Sequence, residues 1–153
     1  MDNRTMVLKR QLDATPETVW AALSNPAALP AWWGPDGFSC KTKEIDLRQG
    51  GQWRFDMIAP DGTVFPNRHR FTVYDKPSRI VYLLDDDGVG AQSKTAEITL
   101  TPKDGGTALR LSMTFSSAEE LREAEGYNAV DMGYQTLGKL AAYLKANAQT
   151  LPR

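Results

Sequence analysis

The chain has 153 residues, 41% of them hydrophobic and 24% charged, which predicts one globular domain, residues 1–153, large enough to enclose its own core. Eighteen basic and nineteen acidic residues leave a formal charge of −1, which speaks against a nucleic-acid partner. With Cys40 as its single cysteine and His69 as its single histidine, the chain can form neither an internal disulfide nor a zinc site of the usual types.

The sequence contains no apolar run long enough for a signal peptide or a membrane helix. Together with the lone cysteine, this predicts a cytoplasmic protein that is not inserted in a membrane. The unusual feature of the composition is its content of four Trp, five Phe, five Tyr and five Met in a chain with few residues suited to catalysis.

The N-terminal third predicts one strand followed by two helices. Residues 5–13 alternate between apolar and polar side chains, which is the period of a half-buried strand. A helix follows, because Thr15 stands where an N-cap belongs and Pro16 occupies the first helical position. A second, short helix is predicted between Pro26 and Pro30, before a Trp-Trp-Gly-Pro turn.

Six further strands are predicted between residues 39 and 115, because turns rich in glycine, proline and aspartate separate alternating runs there. Short turns favour antiparallel hairpins, and one polar face indicates a sheet covered on one side only. The predicted strands are 39–48, 52–59, 64–75, 79–85, 93–102 and 107–115. The predicted inward side chains include Trp53, Phe55, Met57, Phe65, His69, Phe71, Val73, Ala96, Ile98, Leu100, Leu109, Leu111, Met113 and Phe115.

The C-terminal segment predicts the helix that covers this sheet. Ser117 and Glu120 form a capping box ahead of a long helical stretch. Apolar residues recur at spacings of three and four from Val130 to Leu144 and include Tyr134, while Gly126 could loosen the helix. The predicted fold class is α+β: about seven antiparallel strands curved around a long C-terminal helix, in the order β-α-α-β6-α.

Five groups of residues in one order carry a resemblance to a known family, from about residue 5 to residue 147. They are Arg10 with Ala14-Thr15-Pro16-Glu17-x-Val19-Trp20; Leu29-x-x-Trp32-Trp33-Gly34-Pro35; Asp46-x-Arg48-x-Gly50-Gly51-x-Trp53 with Asp61-Gly62; Pro77-x-Arg79-Ile80-Val81-Tyr82; and Gly133-Tyr134-x-x-x-Leu137-x-x-Leu140-x-x-Tyr143-Leu144. The chain resembles the activator of heat-shock protein 90 ATPase-like family of the SRPBCC (START-like, helix-grip) superfamily. It departs from that family's usual Gly-Trp at Gly133-Tyr134.

The resemblance implies a helix-grip fold with a cavity between the concave face of the sheet and the last helix. Members of the superfamily use such a cavity for lipids, sterols, polyketides or other apolar molecules. Some members are cyclases or dehydratases, and the namesake proteins stimulate a chaperone's ATPase. The fold alone does not choose among these functions.

Few side chains suggest chemistry. His69 shares the inward phase of its strand and could act as a general base or bind a ligand, although we favour a structural histidine. Arg10 could meet a ligand carboxylate, and here we favour a paired arginine at a strand end. Cys40 lacks the third residue that a nucleophile-base pair with His69 would need, so an idle thiol is expected.

Two further motifs predict turns. The Asp85-Asp86-Asp87-Gly88 run lacks the ligand spacing of a calcium loop, and Gly50-Gly51 lacks the helix and lysine of a phosphate loop. We therefore expect no metal and no cofactor.

The leading hypothesis is a protein that binds a small apolar or aromatic ligand in an internal hydrophobic cavity without acting on it chemically. One alternative is a cyclase- or dehydratase-like enzyme with His69 as its base, and another is a module that contacts a chaperone. The Trp-Trp-Gly-Pro turn is expected near the cavity mouth, and the oligomeric state is left open. The residues predicted to wall the cavity are Trp33, Trp53, Phe55, His69, Phe71, Tyr82, Met113 and Tyr134.

Overall fold

The computed structural model describes residues 3–88 and 93–148. The strands are β1 (Thr5–Leu12), β2 (Ser39–Ile45), β3 (Gln52–Ile58), β4 (Val64–Asp75), β5 (Arg79–Asp85), β6 (Lys94–Lys103) and β7 (Gly106–Thr114). The helices are α1 (Pro16–Ser24), α2 (Leu29–Trp32), α3 (Ala118–Gly126) and α4 (Ala129–Ala146). The strands form one antiparallel sheet in the spatial order β1-β7-β6-β5-β4-β3-β2, so the α+β prediction is confirmed.

The start of α1 follows directly from its sequence. The Thr15 hydroxyl accepts a hydrogen bond from the Thr18 amide at 3.3 Å, which satisfies one of the free donors at the helix start. Pro16 occupies the first turn, where its missing N–H costs nothing. The buried face of this helix presents Val19, Trp20 and Leu23 to the sheet.

The second helix begins later than the sequence suggests. Residues 26–28 form a turn, and α2 is a single helical turn that runs from Leu29 to Trp32. Pro30 therefore lies in the first turn of α2, where a proline is tolerated, and does not end the helix.

The single long C-terminal helix predicted from the sequence is two helices. Ser117 caps the first of them by accepting a hydrogen bond from the Glu120 amide at 3.0 Å, as the capping box predicts. The break comes at Asn128, whose φ of 63° is left-handed, a conformation that asparagine tolerates better than most residues. α3 buries only Leu121, whereas α4 buries four side chains. The break at Asn128 thus separates a largely exposed helix from the helix that packs on the sheet.

The core lies between the concave face of the sheet and α1, α2 and α4. Trp32, Trp53 and Tyr82 are among its largest fully buried side chains. Phe65 is an exception to the predicted inward face, because it lies at the second position of β4 and keeps 46% of its surface exposed. The buried apolar cluster also includes Leu8, Leu12, Val19, Trp20, Leu23, Leu29, Phe55, Phe71, Ile80, Ile98, Leu100, Leu109, Leu111, Leu137, Leu140 and Leu144.

Close packing of α4 on β1 depends on Gly133. A Cβ atom at this position would overlap the Cδ1 atom of Leu8, a side chain with no exposed surface. The absence of a side chain thus lets the helix approach β1 closely.

Replacing Gly133 with alanine should destabilise the fold by about 1–2 kcal/mol, because the added methyl group overlaps the buried Leu8 side chain. Gly138→Ala is the matched control on the same helix. A Cβ there meets no neighbouring atom within 4 Å, so alanine should stabilise the protein by about 0.5–1 kcal/mol. Urea unfolding measures both effects, and equal gains in the two variants would contradict the close contact.

Candidate functional site

An aromatic cluster occupies the middle of the concave face, on three neighbouring strands. The register places Trp53 of β3 opposite His69 of β4, and Phe71 of β4 opposite Tyr82 of β5. Residues opposite each other in an antiparallel pair project to the same side of the sheet, so these rings converge. Phe55 stacks on Trp53 with the ring centroids 3.6 Å apart.

His69 lies at the centre of this cluster with 3% of its surface exposed. Its imidazole stacks on the Tyr82 ring at a centroid distance of 4.2 Å and an interplanar angle of 18°. The rings of Trp33, Trp53 and Phe55 meet it edge-on, at 5.4, 5.4 and 5.2 Å. Aromatic rings thus surround the imidazole on several sides.

This environment sets the protonation state of the histidine. Burial lowers the pKa of His69 to about 3, and the Asp85 carboxylate opposes the shift only in part. The imidazole is therefore neutral at physiological pH. A base this weak takes up protons poorly near pH 7, so the structure gives no support to a mechanism that uses His69 as its general base.

Two tyrosine hydroxyls near His69 are buried without a hydrogen-bond partner among the residues the structure describes, those of Tyr74 and Tyr82. Only 2% of the Tyr82 surface is exposed. Burial raises the pKa of both phenols, so both keep their protons. A buried polar group left unpaired costs about 1–3 kcal/mol, and such groups in a native structure call for an explanation such as a bound molecule.

Both tyrosines border a small void. Its volume is about 20 Å³, room for about one water molecule, whereas ligand pockets measure about 300–1,000 Å³. This void is thus far smaller than the ligand-sized cavity expected from the sequence, since side chains fill most of the space around it. The void is lined by Leu23, Leu29, Trp33, His69, Phe71, Tyr74, Ile80, Tyr82 and Ile98.

Four of the eight predicted wall residues line this void: Trp33, His69, Phe71 and Tyr82. Trp53 and Phe55 form a second layer of rings against His69. Met113 does not line the void, because it lies on β7 beside Ala96, two strands away from β5, the strand that carries Tyr82.

The structure also places Tyr134 away from the void, although the sequence predicts it as a wall residue. Its side chain keeps 40% of its surface exposed and does not reach the void. Its hydroxyl instead accepts a hydrogen bond from the Lys9 amide of the edge strand β1 at 3.4 Å. The spacing of apolar residues predicts one apolar face along α4. The N-terminal part of that face, which includes Tyr134, lies beside the edge strand β1.

Tyr74 lines the void, and the sequence analysis missed it. Alternation from Phe71 predicts Val73 on the inner face, but the register shifts between these two residues. Such a β-bulge adds one residue to the strand and exchanges its two faces beyond that point. Tyr74 therefore pairs with the buried Ile80 and joins the inner face.

The other polar candidates lie elsewhere. Arg10 is exposed and lines a separate surface groove of about 780 Å³ between the end of β1 and α4. The Cys40 thiol donates to the Trp33 carbonyl at 3.4 Å, and burial raises its pKa to about 11, so it is a protonated, unreactive thiol. Neither side chain belongs to the aromatic cluster.

The acidic run that begins with Asp85, the last residue of β5, forms ion pairs. Asp85 lies 2.7 Å from Arg68 and 3.1 Å from Arg70, while Asp87 lies 2.9 Å from Arg54. These arginines hold the pKa values of both carboxyl groups below their ordinary range, against the effect of burial. Within residues 3–88 and 93–148, no three His, Cys, Asp or Glu side chains come together in a way that could hold a metal ion.

A curved seven-stranded antiparallel sheet closed by a C-terminal helix, with an aromatic cluster between them, defines a protein of the helix-grip class. The model of one family, described as Activator of Hsp90 ATPase homolog 1-like protein, matches residues 13–145. The chain belongs to this family.

Solved structures agree with that assignment. Protein Ms6760 from Mycobacterium smegmatis is 26% identical with a TM-score of 0.84, over 95% of this chain and 93% of that one. Protein CV1439 from Chromobacterium violaceum is 31% identical with a TM-score of 0.78, over 90% and 95%. The AHSA1 protein SPO3351 from Silicibacter pomeroyi shares the fold at 24% identity, with a TM-score of 0.77 over 94% and 99%.

No functionally curated protein matches the chain by sequence. Among the described residues, no helix has the length and apolar character needed to span a membrane.

The buried histidine predicts how stability depends on pH. The imidazole binds a proton below about pH 6.5 in the unfolded chain but only near pH 3 in the folded protein. The free energy of unfolding should therefore fall as the pH drops below 6.5, with a slope approaching about 1.4 kcal/mol per pH unit. His69→Phe, which keeps a ring at this position, should remove most of that slope.

Urea unfolding at intervals between pH 7 and pH 4.5 measures this slope. Tyr134→Phe serves as the control, because it alters an exposed ring outside the cluster and should keep the wild-type slope. A His69→Phe variant that loses stability as steeply as the wild type would show that another group titrates.

Proposed function

We propose that the protein binds a small, largely apolar molecule at the void beside His69, with no chemical step required. The observation that carries the proposal is the pair of hydroxyls of Tyr74 and Tyr82, which have no hydrogen-bond partner among the described residues, in an otherwise apolar and aromatic wall. Ligand sites commonly combine apolar walls with a few polar groups that orient the ligand. Family membership supports the proposal, because the chain has the fold of its relatives over nearly its whole length.

Binding requires the void to open, and Trp33 is the side chain best placed to move. It follows the one-turn helix α2 and is only partly buried, unlike Leu29, His69 and Tyr82 in the same wall. Its ring meets its neighbours edge-on, at 6.2 Å from Trp53 and 5.4 Å from His69. An outward rotation of this indole would join its own volume to the void, so the ligand would take the place of the ring.

A second candidate function is contact with a chaperone such as heat-shock protein 90, in keeping with the description of the family. The observation that favours it is a group of exposed apolar side chains at the start of α4 and on β1: Val7, Tyr127, Val130 and Tyr134. Stimulation of that chaperone's ATPase by the wild type, lost in Val130→Glu and kept in His69→Phe, would support it. No change in the ATPase rate would count against it.

The binding proposal is tested with N-phenyl-1-naphthylamine, an uncharged fluorescent probe of apolar sites. The wild type should bind it saturably, and Trp33→Ala should bind about tenfold more tightly, because this variant no longer has to move the indole. Tyr134→Ala is the control, since it removes an exposed ring that does not line the void and should bind as the wild type does.

The location of the probe can be read independently. His69 is the single histidine of the chain, so its imidazole NMR signals report on this site without ambiguity. Those signals should shift as the probe saturates the protein. Failure of both the wild type and Trp33→Ala to bind saturably would overturn the proposal.

A further inference from the structure

We infer that the ligand is an uncharged ring compound with a hydrogen-bond acceptor, such as a carbonyl or ether oxygen, which the Tyr82 hydroxyl binds. This inference rests on the proposed function, because it assigns a chemical class to the ligand of the same site. Three properties of the wall carry it: the donors it offers, the absence of charge, and the shape of the space that Trp33 occupies.

The donors come first. The Tyr82 hydroxyl is buried and has no hydrogen-bond partner among the described residues, and the Tyr74 hydroxyl beside the same void is in the same situation. A phenol offers one O–H, and a neutral imidazole such as that of His69 offers one N–H in either tautomer. Once the Trp33 indole has moved out, the wall has three groups able to donate, and an acceptor on the ligand satisfies one of them.

Charge is the second property. None of the nine side chains that line the void carries a formal charge once His69 is neutral. The nearby Asp85 carboxylate is already engaged by Arg68 and Arg70. A ligand carboxylate or ammonium would thus lose its water without gaining a counter-ion from this wall, which strongly disfavours a charged ligand.

Shape is the third property. The Trp33 indole lies edge-on to both Trp53 and His69, with interplanar angles of 77° to each. The space it would vacate is a flat slot lined by ring faces and edges. A planar ring system regains these contacts, since aromatic rings favour edge-to-face and offset-stacked packing.

The test uses three probes with one bicyclic skeleton: tetralin, 1-tetralone, and 1,2,3,4-tetrahydro-1-naphthoate, which add nothing, a carbonyl and a carboxylate respectively. Each is titrated against the wild type by displacement of N-phenyl-1-naphthylamine and by the His69 imidazole signals. We expect 1-tetralone to bind about three- to tenfold more tightly than tetralin, the usual gain from one hydrogen bond. The carboxylate should bind most weakly of the three.

Variants assign the hydrogen bond. Tyr82→Phe should bind tetralin as the wild type does but lose the preference for 1-tetralone, whereas Tyr134→Phe should keep that preference. Because Tyr82→Phe removes a hydroxyl without a partner in the described part of the chain, its urea midpoint should be no lower than that of the wild type. This measurement separates a binding effect from a folding defect.

The outcomes separate this inference from the function on which it rests. Equal affinities for tetralin and 1-tetralone, tightest binding of the carboxylate, or failure of all three compounds to displace a bound probe would overturn the inference alone. A preference for 1-tetralone that survives Tyr82→Phe, or that is lost only in Tyr74→Phe, would overturn the assignment to Tyr82. Absence of saturable N-phenyl-1-naphthylamine binding overturns the proposed function, and the inference falls with it.

Discussion

The stack of His69 on Tyr82 organises the interior of this protein. The two rings lie on adjacent strands in the middle of the concave face, and every other ring of the cluster packs around them. Because this arrangement buries both rings, the imidazole stays neutral and the phenol keeps its proton. Polar atoms within the cluster must therefore find partners inside the protein, and the hydroxyl of Tyr82 finds none among the described residues.

Most of the fold could be predicted because its signals are local. Turn residues and alternation place the seven strands to within a few residues, and Thr15 and Ser117 mark the starts of α1 and α3. The bulge in β4 could not be read this way, since Val73 and Tyr74 are both apolar and either could face inward. Likewise, periodicity shows which side chains share a face. It does not show whether they line a space or fill it, because that depends on differences in packed volume of only a few tens of Å³.

Under the proposed function, the small volume of the void has consequences for recognition. Since the void holds only about 20 Å³, a ligand at the proposed site has to displace protein side chains, which lowers its apparent affinity. A ligand that replaces Trp33 with an equally flat ring recovers the lost contacts, whereas a flexible chain also loses conformational freedom on binding. A site of this kind would thus favour a flat ligand by shape alone, in addition to any hydrogen bond.

The two outer strands of the open sheet, β1 and β2, present backbone groups that neighbouring strands leave free. On β1, the Lys9 amide points away from the sheet and donates to the Tyr134 hydroxyl. A strand of another chain that paired with β1 would meet the Tyr134 ring at this edge, and the Lys9 amide would already be hydrogen-bonded. Tyr134 therefore occupies one of the positions on β1 at which a strand of another chain would pair, and this position lies apart from the void.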